Sequence, residues 1–180
     1  MVISTEQFVS KVKGRLPNTF GKAKESKMYC GGTIYVDHAS TFMFVQSQVS
    51  LNADEAIQGN HQFERDAHSN GIDICSYRSD NGIYKLSEEF QKDLLIRNQL
   101  HDLSGVGAHH QHVAAERDIR TVSENARAMM LHAAIHWPNG MSLDLWPFAV
   151  EYAVYIWNRM PNQDSGVAPI EFFYGCKLDD

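Results

Sequence analysis

The chain has 180 residues, of which 43% are hydrophobic and 21% charged, which fits one globular domain able to bury a core, with no apolar run long enough to span a bilayer. Its 22 acidic and 16 basic residues give a net charge of -6. That balance argues against strong DNA binding driven by overall charge, since phosphate contacts from Lys and Arg supply most of the non-specific affinity.

Cys30, Cys75 and Cys176 are too few and too widely spread for a disulfide framework or a zinc site. The start, Met1-Val2-Ile3-Ser4, has neither a basic n-region nor an extended apolar h-region, so an intracellular location is expected. Val2 to Phe8 is compatible with a first strand. Residues 13 to 32 place Gly14, Pro17, Asn18, Gly21, Gly31 and Gly32 among charges, which is loop chemistry. Lys11, Lys13, Arg15, Lys22, Lys24 and Lys27 give the first thirty residues a positive excess, open to reading as a local basic surface or as a solvated loop.

Thr33 to Val36 and Phe42 to Val49 are rich in β-branched and aromatic residues and predict an antiparallel hairpin turning at His38 to Thr41. Asn52 followed by Glu55 resembles a capping box, and Ala56, Ile57, Phe63 and Ala67 predict the helix behind it. A strand over Ile72 to Tyr77 leads to Asp80. Ser87 caps a further helix with Phe90, Leu94 and Leu95 inward, and Leu100 to Ser104 supplies a short strand. From Glu116 the positions Ile119, Val122, Ala126, Met129 and Ala133 step by three and four, one buried helix face. Pro138-Asn139-Gly140 breaks that helix. Leu145, Phe148, Ala149, Tyr152, Tyr155 and Ile156 predict another, read as core packing, that stops before Pro161.

Asp80 before Asn81-Gly82 and Glu116 in the first turn of a long helix are the chemically suggestive pair. Residues 81 to 115, 35 in all, separate them. Two carboxylates brought back together in this way suit Mg²⁺ or Mn²⁺, which prefer hard oxygen ligands. Each also has a plain structural reading, Asp as a turn residue and Glu as a partner of the helix dipole. His109, His110 and His112 could form a metal cluster, but three His inside four positions without a further ligand pair favour a loop.

The words around these acids carry a family resemblance. Tyr77-Arg78-Ser79-Asp80-Asn81-Gly82-Ile83-Tyr84, Gly105 to Gln111 and Ala115-Glu116-Arg117 resemble the integrase catalytic core of copia-type retrotransposons. Gly32 to His38, Ala126 to Leu131, Leu145-Trp146-Pro147, Trp157-Asn158-Arg159 and Pro169-Ile170-Glu171 extend the likeness over nearly the whole chain. The resemblance implies an α/β, RNase H-like fold with a mixed five-stranded sheet flanked by helices. One domain is expected over 1–180: a first strand and long loop over 1–32, a core over 33–137 and a C-terminal helical extension over 138–180.

It further implies a DDE polynucleotidyl transferase acting on element ends and target DNA, with a two-metal site of Mg²⁺ or Mn²⁺ held by three acids. DNA is the expected partner, self-association is possible, and the place of action is nuclear. Asp80 and Glu116 match the second and third acids. The first matches Glu6 in Ser4-Thr5-Glu6-Gln7, where the family has Asp, while Asp37 falls on the second strand. The chain also departs from the family at His112 and Val113, where Asn and Gly are usual, and at Asp118, usually a small residue. These departures imply an alternative: a catalytically impaired or domesticated remnant acting only as a nucleic-acid or protein interaction module.

Overall fold

The computed structural model describes residues 1–18, 24–79, 87–103, 113–163 and 165–177. Asp80, Asn81-Gly82 and the loop with His109, His110 and His112 lie outside them. Five strands, β1 (Val2–Gly14), β2 (Tyr29–Asp37), β3 (Met43–Gln48), β4 (Ser76–Ser79) and β5 (Leu100–Leu103), form one sheet in the order β3-β2-β1-β4-β5. β1 pairs antiparallel with β2 and parallel with β4; β2–β3 is antiparallel and β4–β5 parallel. The helices are α1 (Ala53–His68), α2 (Glu88–Ile96), α3 (Val113–His136), α4 (Trp146–Arg159) and α5 (Pro169–Tyr174).

Strand periodicity divides the sheet into two faces. Ile3, Tyr35 and Tyr77 pack with Phe63 of α1, Phe90 and Leu94 of α2 and Phe173 of α5. On the opposite face Ile34 and Val36 pack with Ile119, Val122 and Ala126 of α3 and with Ala153 and Val154 of α4. Helix α4 is tied to the edge strand by a buried amide: Asn158 Oδ1 accepts from Met43 N at 2.8 Å, and Asn158 Nδ2 donates to Met43 O at 2.7 Å.

The element order follows the sequence reading, but several boundaries and faces differ. β1 runs to Gly14 and β2 starts at Tyr29, inside the stretch expected to be loop. Distant residues hold that extension. Trp146 Nε1 donates to Val12 O at 2.8 Å, Arg15 pairs with Asp144 at 3.2 Å, and a Cβ on Gly14 would lie 2.4 Å from Pro147 Cγ. Only Gly admits so close an approach.

In the α1 cap, Asn52 Oδ1 accepts from Glu55 N at 3.0 Å. The Glu55 carboxylate accepts from Val49 N and Ser50 N at 2.8 and 3.0 Å, reaching upstream of the cap residue that a capping box would use. Leu95 points outward at 76% exposure while Phe90 and Leu94 are buried. The stripe expected on α4 is also misphased. Tyr152 and Tyr155 are exposed and stacked, with ring centroids 6.0 Å apart, and the inward positions include Trp146, Ala153, Val154 and the polar Asn158. A polar residue on the buried face conceals the true phase from a hydrophobic count.

Candidate active-site edge

Glu6 sits on β1 opposite Ile34. By alternation it shares the face of Ser4 and Phe8, the side on which α3 and α4 pack. Glu6 itself is exposed. Glu116 stands on the first turn of α3, one helical step before the buried Ile119 and on the same side of the sheet. The structure therefore brings Glu6 and the helix bearing Glu116 to a common side.

Thr5 pairs with Ser79 in the parallel β1–β4 ladder, which places the last described residue before Asp80 beside the residue that precedes Glu6. Ser79 is 1% exposed and is braced from below. Its Oγ lies 2.8 Å from His101 Nε2, and Gln91 Nε2 lies 2.8 Å from His101 Nδ1. With the Gln91 amide as donor, Nδ1 accepts and Nε2–H donates to Ser79. Burial lowers the His101 pKa against the opposing pull of Asp102, which suits that neutral tautomer. Sequence reading missed His101; one His in a four-residue strand carries no periodic signal.

Asp37 plays a different part. It is 1% exposed, and its Oδ2 accepts from Ser40 N at 2.8 Å and from Ser40 Oγ at 2.7 Å. These bonds fasten the β2–β3 turn, in which Thr41 takes φ 59, an uncommon conformation for a β-branched residue. In register Asp37 faces Ile3, so it points to the sheet face opposite Glu6.

Asp118 is half-buried on α3, and burial raises its pKa, partly offset by the Arg117 guanidinium. Arg117 follows Glu116 and Arg120 lies one helical turn beyond it; both are exposed and form no ion pair among the described residues. Among the described residues no three His, Cys, Asp or Glu side chains are grouped to hold a metal ion. Glu6 and Glu116 are thus two acids on one side, and Asp80 lies outside the described set.

Solved structures share this fold. The HTLV-2 integrase catalytic core domain in complex with magnesium, in its dimeric form, superposes with a TM-score of 0.58 at 18% identity, covering 96% of this chain and 93% of that one. The catalytic core domain of BIV integrase gives a TM-score of 0.66 at 12% identity, covering 97% and 93%. The fold is RNase H-like, a mixed five-stranded sheet flanked by helices. A chain from the simian T-cell lymphotropic virus intasome, in complex with the B56 gamma regulatory subunit of PP2A, gives 0.64 at 15% identity and covers 99% of this chain and 56% of that one. No family model and no curated protein sequence matches. Among the described residues no helix is long and apolar enough to cross a membrane.

Proposed function

We propose that this chain is an integrase catalytic domain of the copia-type lineage, a metal-dependent polynucleotidyl transferase acting on DNA. The observation that carries the reading is the convergence of Glu6 and the Glu116-bearing helix on one side of an integrase-like sheet. Thr5–Ser79 pairing sets the strand that leads to Asp80 alongside. Glu6, Asp80 and Glu116 are the proposed metal ligands. An all-carboxylate donor set in an open position fits Mg²⁺ or Mn²⁺, and bound ions of this kind would stabilise charge on the attacking and leaving oxygens of an in-line phosphoryl displacement.

In this scheme the three carboxylates are themselves the oxygen ligands and transfer no proton. Arg117 and Arg120, beside Glu116, contact the phosphate backbone and supply locally the positive charge that the net balance lacks. The His101–Ser79 contact fixes the strand end behind Asp80. Water attacks a phosphodiester near the DNA end and expels the element's 3'-oxygen as a hydroxyl; that hydroxyl then attacks a target phosphodiester, forming a new P–O bond as the target strand's 3'-oxygen leaves. DNA is the partner, and self-association and nuclear action are part of the same reading.

A strand-transfer and nicking assay with Mg²⁺ or Mn²⁺, run beside Asp80→Asn, tests this. Product from the native chain well above that control is expected; equal product rejects the transferase.

A second reading is favoured by Glu6, one methylene longer than Asp, and by the half-buried Asp118, which adds negative charge near the path of phosphate. Here the domain is an impaired remnant that binds nucleic acid or protein without catalysis. Recovery of activity in Glu6→Asp combined with His112→Asn and Val113→Gly, from an inactive native chain, supports this reading. Cutting by the native chain rejects it.

A further inference from the structure

Most of the histidines among the described residues are engaged by a hydrogen-bond partner. His38 lies 2.6 Å from Ser4 Oγ, His61 2.9 Å from Asp93, His68 2.9 Å from Asp73 and His101 2.8 Å from Ser79. His132 and His136 differ: among the described residues neither ring has a hydrogen bond or an ion pair, and the contacts they make are between rings. Both stand exposed near the C-terminal end of α3, four residues apart. That spacing puts them on one face of the helix, one above the other, and their ring centroids are 4.2 Å apart.

Imidazole is a good ligand for Zn²⁺, Ni²⁺ and Cu²⁺, and two His at i and i+4 of a helix present both rings to one ion. Neither ring has to give up a bond within the protein to take it. Pro138 also bares the end of this helix. The donor to Ala134 O in a continued helix would be the N–H of residue 138, which Pro lacks. Trp137 N reaches Ala133 O at 2.8 Å, while the carbonyls of Ala134, Ile135 and His136 accept no backbone bond among the described residues. The negative pole of a 24-residue helix therefore ends here, and it favours a cation.

We infer that His132 and His136 chelate one late first-row divalent ion of the Zn²⁺, Ni²⁺ and Cu²⁺ class, with water in its remaining positions. The ion bridges successive turns and clips the end of α3 ahead of the Pro138-Asn139-Gly140 turn. It is separate from the proposed carboxylate site in place and in chemistry. His136 stands 20 residues beyond Glu116, about 30 Å along a helix, and nitrogen donors select against the hard Mg²⁺.

Trp137 supplies the readout: its ring centroid lies 6.0 Å from that of His136, and it is 65% exposed. Ni²⁺ is the probe, being paramagnetic, a quencher of a nearby indole and inert to reduction by Cys thiols. Added to the full chain it should quench fluorescence saturably, and excess Mg²⁺ should not reverse this. His132→Ala and His136→Ala, with circular dichroism unchanged, should each weaken the response on the order of 10²-fold, because each leaves one ring to act alone. Trp137→Phe should lose the quenching and keep the ion, measured by titration calorimetry. Replacing His109, His110 and His112 together by Ala should leave the quenching intact. In that background Zn²⁺ should raise the thermal unfolding midpoint, and adding His136→Ala should abolish the rise.

Quenching undiminished in either single variant, quenching lost with the loop histidines, or a midpoint that Zn²⁺ does not raise overturns the inference. DNA cleavage is not read in any arm, so failure here leaves the nuclease reading untouched.

Discussion

Thr5 of β1 and Ser79 of β4 are direct partners across a parallel ladder, with Glu6 and Asp80 one residue further along in the sequence. In the proposed site this pairing sets the strand ahead of Asp80 beside Glu6, and α3, which bears Glu116, packs on the sheet side of Glu6.

The first prediction concerns the length of the first acid. Misplacement of about 1 Å in an active site costs ~10²-fold in rate, so Glu6→Asp should raise Mg²⁺-dependent nicking by up to that factor. Glu116→Gln should lower it by a comparable amount. Glu116 is exposed, so its variant should unfold at a denaturant midpoint close to native, since such surface changes are usually within about 0.5 kcal/mol. Equal rates in all three proteins would remove both residues from the chemistry.

Asn158 offers a test of how the site's supporting layer is held. Asn158→Leu leaves the Met43 N–H and C=O without the bonds of 2.8 and 2.7 Å that they now make. An unsatisfied buried group costs about 1–3 kcal/mol, so a loss on the order of 3 kcal/mol in urea unfolding is expected. The exposed Tyr152 makes a suitable comparison, with Tyr152→Ala changing stability by less than about 1 kcal/mol. A similar small loss in Asn158→Leu would show that the amide is dispensable.

Asp118 sets a pH dependence whose sign can be worked out. Its folded-state pKa is raised by burial, so the folded chain holds this proton more tightly than the unfolded one. The resulting stabilisation is fully present below the ordinary carboxylate pKa and is lost as pH rises through the raised value. Asp118→Asn should therefore be more stable than native near pH 7, with the advantage shrinking toward about pH 4. Unfolding midpoints of the two proteins across that range measure it; a constant difference contradicts the assignment.

Much of the architecture was legible because its signals are local. The order of three strands, helix, strand, helix, strand, helix could be read from periodicity, and Ser87 capping through Phe90 N at 3.2 Å is a short-range contact. Glu116 was placed correctly on a first helical turn because Ile119, Val122 and Ala126 recur at helical spacing. By contrast, the extension of β1 to Gly14 rests on Trp146 and Asp144, more than a hundred residues away. Local patterning carries no trace of that contact.

By itself, then, the sequence determined the elements, the resemblance and the candidate acids, since helix and strand periods and family words are written along the chain. Tertiary structure alone decided which acids share a face. It assigned Asp37 to a turn and Glu6 to the helix-covered side, because the register of β1 against β2 and the alternation of strand side chains set direction. It also showed His101 beneath Ser79, and it left Leu95 and Tyr152 in solvent, where hydrophobicity had suggested core. Facing and burial are properties of the packed chain, and a pattern of apolar residues fixes their phase only when the buried side is uniformly apolar.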